Sequence, residues 1–366
     1  MSPAFSSTKQ AGAFAVLLLF FILLPALAGR TGLPPRSETY SSIPLRLGPF
    51  PFIHQQIFED KSDVDIAFVG SSHIWDGIDT PYVQKQLSDK LGRKATVISL
   101  GWPWPGFDAL YFILQDLLQH RKVHMLVIYD ECRASDAPHR VASRWFRFGD
   151  NSGVLAGLPV KAKASLYAAA ILGMPRNLLC FLRPNLPADA SGSKKSYWES
   201  FYHAPSVADR MGALSARIGF DYNPDFVAFA PRTEAKPSDV TLYSPETIAS
   251  FRFTGPRTTP YQLYFARKVA ALAQEHGVKL VILHFPDIGE RHEATINERE
   301  FWPDALSAPV AMAGIPPARL FAGMKDEDVL RLYYDPGHFN KNGQEYFTPF
   351  ITPRLMELYD FRTNNR

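Results

Sequence analysis

The stretch Val64-Asp65-Ile66-Ala67-Phe68-Val69-Gly70-Ser71-Ser72-His73 decides the fold. Its first six residues are a short run rich in β-branched and apolar side chains, and Gly70 ends it. That is the signature of a buried strand. Thr80-Pro81 then offers an N-cap with proline at the first helical position, and Gly92 follows Leu91 as the stop. Residues 95–100 read as a second strand. Residues 106–120 read as an amphipathic helix with Leu110, Ile113, Leu114, Leu117 and Leu118 on one face. Residues 124–129 (HMLVIY) give a third strand. Strands alternating with helices through short turns require parallel pairing. The expected class is therefore α/β, a three-layer α/β/α sandwich around a mostly parallel sheet.

The alternation stops after the third strand and resumes at Pro260. A helix over 260–276 is capped by Gly277, and KLVILH at 279–284 is a fourth strand. A fifth, shorter strand is expected near 319–321, and a last helix over 343–359 despite Pro349 and Pro353. Residues of about 140–258 are rich in Pro, Gly and aromatics, with one helical stretch over 161–183 and no internal period, and read as a large mid-chain insertion. Residues 30–60 read as an extended stalk, which puts the α/β domain at 61–366.

Ahead of the stalk, residues 10–29 carry no charge between Lys9 and Arg30, and the centre AFAVLLLFFILL is apolar on all sides. A soluble amphipathic helix would show a polar face. About 20 such residues span a bilayer. Pro25 with Ala26-Leu27-Ala28 equally fits a helix break and a small-residue cleavage site. Residues 1–29 are thus a signal peptide or an N-terminal membrane anchor, and either exports the rest of the chain to an extracytoplasmic or periplasmic location.

Composition excludes other classes. Of 366 residues 46% are hydrophobic, enough for a sizeable core, so wholesale disorder is out. The balance of 39 basic and 36 acidic residues gives +3, too even for a protein that coats nucleic acid. The two cysteines, Cys132 and Cys180, cannot staple a disulfide scaffold. No Cys/His cluster has zinc spacing, so no metal or other cofactor is called for.

In an open parallel sheet, ligands bind beyond the carboxyl ends of the strands. Those ends carry Gly70-Ser71-Ser72-His73, Ser99-Leu100-Gly101, Tyr129-Asp130-Glu131-Cys132 and His284-Phe285-Pro286. Asp335-Pro336-Gly337-His338-Phe339-Asn340 precedes the last helix. A serine past a strand needs a base to become a nucleophile, and a histidine oriented by a carboxylate supplies one. Asp335 and His338, three residues apart on one turn, would orient the imidazole and take the proton of Ser72.

These blocks resemble the SGNH (GDSL-like) hydrolase superfamily over about 61–135 and 260–360. Gly70-Ser71-Ser72 is similar to its Gly-Asp-Ser block, Gly101 with Gly106 to its glycine block, and Asp335 to Asn340 with Gly343 to its last block. The resemblance implies a flavodoxin-like SGNH fold and a Ser72–His338–Asp335 triad. It implies an oxyanion hole from the N–H groups of Ser72 and Gly101. The exported N-terminus, Gly-Ser-Ser-His and a large insert look like the envelope members, which act in O-acylation of exopolysaccharides or cell-wall polymers. Partners implied are an acylated glycan or other envelope polymer and a membrane acyl-donor protein.

The sequence departs from the family at Ser71, where Asp is usual, at Ser99, where Asn is usual, and in the third block. There Asp130-Glu131 stand in place of the Asn that donates to the oxyanion. A carboxylate cannot replace that amide unless protonated, and one lost donor costs about 10²–10³ in rate. Trp102 and Trp104 after the second strand offer rings for stacking on sugar, or loop packing. His284, Asp130 and Glu131 are further candidates for touching substrate, or structural partners. His73 should point away from Ser72's side of an extended backbone and serve packing or hydrogen bonding. Three functions fit: ester hydrolysis or O-acyl transfer through an acyl-serine, polymer binding within an export or acylation complex, and lipase work at the membrane. The D-x-x-H with Asn340 and Gly343 argues against pure binding, because no structural role demands that set.

Overall fold

The computed structural model describes residues 5–32, 34–43, 49–102, 104–130, 136–145, 152–183, 221–223, 228–230, 259–296, 310–335 and 337–360. The chain opens with helices α1 (Thr8–Thr31), α2 (Arg36–Ser41) and α3 (Phe50–His54), the last continued by a π-turn over Gln55–Glu59. Strand β1 (Val64–Ser71) passes directly into α4 (Ser72–Gly77), and α5 (Thr80–Leu91) follows. Then come β2 (Val97–Trp102), α6 (Phe107–His120) and β3 (Val123–Tyr129). Helices α7 (Ala142–Trp145), α8 (Ser152–Ala156) and α9 (Val160–Leu182) belong to the insertion, as does an antiparallel pair, β4 (Asp221–Asn223) and β5 (Ala228–Ala230). The remainder is α10 (Pro260–Glu275), β6 (Lys279–Leu283), β7 (Ala311–Ala313), α11 (Pro317–Leu320), α12 (Asp326–Leu330), β8 (Tyr333–Asp335), β9 (His338–Phe339) and α13 (Lys341–Asp360).

Five strands form one all-parallel sheet in the order β2-β1-β3-β6-β7. Alternate residues point to opposite faces of a strand. Ala67, Val69, Leu126, Ile128, Leu280 and Ile282 therefore join one core with α6 and α10. Ile66, Phe68, Met125, Val127, Val281 and Leu283 join a second core with α5 and α13. The result is three layers, as the alternation required. The chain leaves β1 toward α5 on one face of the sheet, whereas beyond the neighbouring β3 it returns to β6 through α10 on the other face. That topological switch point is where such sheets leave a crevice.

Boundaries follow local chemistry. The N-cap of α5 is Asp79, whose Oδ1 accepts from the Tyr82 N–H at 3.1 Å, and not Thr80 as the sequence suggested. Gly92 ends α5 with φ 64°, the left-handed conformation glycine adopts at little cost. The last helix keeps both interior prolines, held by a buried face of Phe347, Ile351 and Leu355. The fifth strand is Ala311–Ala313, and residues 319–321 belong to the end of α11 and the turn after it. Proline at 316 and 317 opens a helix there rather than a strand.

The stalk expectation is corrected. Residues 36–41 and 50–59 are helical, and Tyr40, Ile43, Phe50, Phe52, Ile53 and Ile57 are buried in the first core. Their polar pin is Asp116 of α6, fully buried, which accepts from Arg36 Nε at 2.5 Å and from the Tyr40 hydroxyl at 2.9 Å. A segment rich in Pro and Ser looked solvated, but its apolar side chains join the core that α6 and α10 also line.

Helix α1 runs through Pro25 without the expected break, and its turn at Leu24, Pro25, Ala28 and Gly29 is buried. Leu24 and Ala28 pack with Met174 of α9, and the Tyr167 hydroxyl donates to the Ile22 carbonyl. The rest of α1 exposes Phe14, Leu17, Leu18, Leu19, Phe20 and Leu23. Among the described helices it alone is long and apolar enough to cross a membrane, and by composition it fits a signal sequence or an anchor.

Candidate active site

Ser71 ends β1 in an extended conformation and serves as the N-cap position of α4, so Ser72 is the first helical residue beyond the strand. This abrupt strand-to-helix change lifts Ser72 to the sheet's mouth at the switch point, where it is half-buried. Gly77 closes α4 against Phe285, two residues past the end of β6. A Cβ there would run into the ring of Phe285, so only glycine permits that approach.

His338 arrives from the other end of the chain. Strands β8 and β9 pair antiparallel, with Asp335 opposite His338 and Tyr333 opposite Phe339. The hairpin is tied down by the Tyr333 hydroxyl, which donates to the Pro286 carbonyl at 2.6 Å. Asn340 Nδ2 donates to the carbonyls of Arg331 at 2.7 Å and Tyr333 at 3.2 Å, and its Oδ1 accepts the Gly343 N–H at 3.1 Å. A Cβ on Gly343 would meet the Leu332 carbonyl and the Phe339 ring. Asn340 and Gly343 thus build the joint between hairpin and α13. The argument that no structural role demands them falls, and only Asp335 and His338 of that block still speak for chemistry.

The outcome is one short contact: Ser72 Oγ lies 2.8 Å from His338 Nε2, across 266 residues of sequence. Nε2 can accept the serine proton when Nδ1 carries the ring's own proton. Asp335 enters through its backbone register beside His338. Gly101, one residue before the end of β2, lies beside Gly70 in the sheet, at the same end as Ser72.

Around the pair is an aromatic floor. His73 stacks on His338 with centroids 4.0 Å apart and on Tyr129 at 4.4 Å. Tyr129 meets Phe285, Phe285 meets Phe347, and Phe347 meets Phe339 beside the candidate base. The contributions of Tyr129 and Phe285 were missed in the sequence. Their only signal was an aromatic at the end of a strand, which is also how ordinary core residues look.

The remaining candidates separate. His284 is buried with Asp130, their Nδ1 and Oδ2 3.0 Å apart, and its Nε2 lies 3.3 Å from Glu290 Oε2. Burial by itself would lower the imidazole's pKa. The charge and hydrogen bond of Asp130, helped by Glu290, override it and hold the ring protonated up to about 10. His284 and Asp130 are 4% and 6% exposed, so they form an ion cluster under the crevice rather than a surface that meets substrate. Glu290, the second carboxylate, was not anticipated. Trp102 is fully buried in the first core and cannot stack on a sugar. Trp104 is 43% exposed with φ 64°, and the Arg140 guanidinium covers its ring at 4.5 Å. Glu131, Cys132 and the side chain of Cys180 lie outside the described residues. Among the described residues, no group of three or more His, Cys, Asp or Glu side chains is disposed to hold a metal ion.

No protein-family model matches the chain, and no curated protein matches it.

Proposed function

We propose that the chain is an exported serine enzyme of SGNH type that works on acyl esters of an envelope or extracellular polysaccharide. The observation that carries this reading is the 2.8 Å contact between Ser72 Oγ and His338 Nε2 at the switch point of the sheet. Ser72 Oγ attacks the ester carbonyl carbon while its proton passes to His338 Nε2. The tetrahedral oxyanion is met by the N–H groups of Ser72 and Gly101. Collapse breaks the C–O bond, and the leaving alkoxide takes the proton from His338, leaving an acyl-serine. A second hydroxyl then gives its proton to His338 and attacks the acyl carbon; the bond from Ser72 Oγ to the acyl group breaks, and His338 returns the proton to Ser72 Oγ. Water makes the chain an esterase; a sugar hydroxyl makes it an O-acyltransferase, for which a membrane acyl-donor protein would load Ser72. Asp335, paired with His338 in the hairpin, would hold the imidazolium.

A second reading, a polymer-binding subunit of an acylation or export complex, is favoured by Asp130. Its carboxylate is committed to His284 in the position where an amide donor would serve the oxyanion. Exposed Trp104 beside the crevice suits a glycan under either reading.

The test is a fluorophosphonate probe on the full-length protein in detergent, read by intact mass. One adduct, absent from Ser72→Ala, is the expected result. An unlabelled, folded wild type would move the assignment to the binding subunit.

A further inference from the structure

His73 has no part in the proton path above, yet it touches the base. Its ring lies 4.0 Å from His338 with 28° between the planes, and 4.4 Å from Tyr129 with 15°. Its Nδ1 is 3.4 Å from Ser71 Oγ. Three rings from three elements, β3, α4 and β9, therefore form one pile with the base as its outer member. Tyr129 is backed in turn by Phe285.

We propose that His73 is a positioning residue for His338, holding the plane of the base through the Tyr129–His73–His338 stack. The proposal rests on the reading of His338 as the base of Ser72. The hydrogen bond to Ser72 fixes one atom of the imidazole, but a bond at a single atom does not by itself limit the freedom of a ring to tilt. A ring stacked on its face removes that freedom, and aromatic faces favour such contacts. The gain is large because hydrogen bonds weaken steeply once bent and small misplacements of a catalytic group cost orders of magnitude in rate.

The stack also has an electrostatic consequence. Two imidazoles at this distance repel when both are charged, so they titrate as a pair. Among the described residues, the titratable side chains at the stack are Tyr129 of β3 and His338 of β9, and the backbone of Asp335 is the register partner of His338 in the hairpin. Asp76, buried, sits one turn along α4. β1 contributes the Ser71 hydroxyl, and β2 offers no ionisable side chain at 97–102. Helix α13 meets the chain just past α4 through Gln344 and Thr348, neither of which titrates.

The experiment compares full-length wild type, His73→Ala and His73→Phe for their rate of labelling by the fluorophosphonate. It adds an NMR titration of the histidine ring protons in wild type, His73→Phe and His338→Phe. His73→Ala is expected to slow labelling tenfold or more, and His73→Phe, which keeps the stack, to restore it to within about threefold. In the titration, the second proton of the wild-type pair should bind at a lower pH than the single step of either Phe variant. Labelling of His73→Ala at the wild-type rate would overturn the proposal, as would His73→Phe as slow as His73→Ala. Two independent, unshifted titrations would do the same. If the wild type itself is not labelled, the enzyme reading fails, and the titration decides the stack alone.

Discussion

Ser72 Oγ and His338 Nε2 stand 2.8 Å apart, yet one residue follows the first strand and the other precedes the last helix. The sheet places its first strand inside the order, between β2 and β3, and the β8–β9 hairpin meets the helix that follows it. The contact is therefore a product of topology. Neither residue has a local reason to meet the other.

Removing either partner should abolish nucleophile reactivity while sparing the fold. Ser72→Ala and His338→Gln both act on half-buried side chains at the crevice, away from the two cores. The expected loss in labelling is at least about 10³-fold, with thermal midpoints near that of wild type. A His338→Gln protein labelled at the wild-type rate would remove His338 from the mechanism.

Asp335→Asn probes the third member. An amide opposite His338 favours the wrong ring tautomer, which typically costs about 10²–10⁴ in rate with little change in geometry. The effect should fall on the rate of acylation and leave probe binding unchanged. A loss below about threefold would mean that the register pairing of Asp335 with His338 serves the hairpin alone.

The first four strands of the sheet, the helices between them and the Ser72–His338 pair were legible because each rests on a periodic or punctuated signal. Apolar runs ended at Gly70, Pro81 and Gly277 marked a helix start and a helix end, and D-x-x-H sat before a helix. The errors share another cause. The segment 30–60 was judged by its Pro and Ser content, but Tyr40 and Phe50 are buried through contacts with α6 and α7 that no local pattern encodes. Trp102 was taken for a loop residue because β2 extends two residues further than its apolar run suggested. The His284–Asp130–Glu290 cluster joins ends of different strands, so only the register of β3 on β6 reveals it.

That cluster predicts a pH dependence of stability. An unfolded imidazole titrates near 6.5, and His284 in the fold near 10. A folded pKa raised above the unfolded one stabilises fully below about pH 6.5, and the contribution is lost as pH rises toward 10. Urea midpoints of wild type and His284→Gln should thus be furthest apart at pH 6.5 and converge by pH 10. A gap that stays constant over this window would show that the protonated ring is not what the two carboxylates hold. Asp130→Asn, which leaves the buried imidazolium short of its main counter-charge, should cost about 3–5 kcal/mol at pH 6.5.

The last prediction tests whether residues 36–59 are core or stalk. Asp116 is fully buried and accepts from both Arg36 and Tyr40, so its charge has no solvent to fall back on. Burial, then the neighbouring Asp116 charge, pushes the Tyr40 hydroxyl well above its usual range, so it remains a neutral donor at any physiological pH. Arg36→Ala leaves that carboxylate with the hydroxyl alone and should destabilise by about 3–5 kcal/mol. Tyr40→Phe keeps the ring in its place against Trp145 and removes one donor, for about 1–3 kcal/mol. A chain begun at residue 60 would also lose the side chains of Tyr40, Phe50, Phe52, Ile53 and Ile57 from the first core, several times the stability a typical domain has to spare. It should therefore be insoluble or unfolded by circular dichroism. A cooperative thermal transition in that truncated chain, at the temperature of the full-length protein, would return the segment to the role of a spacer.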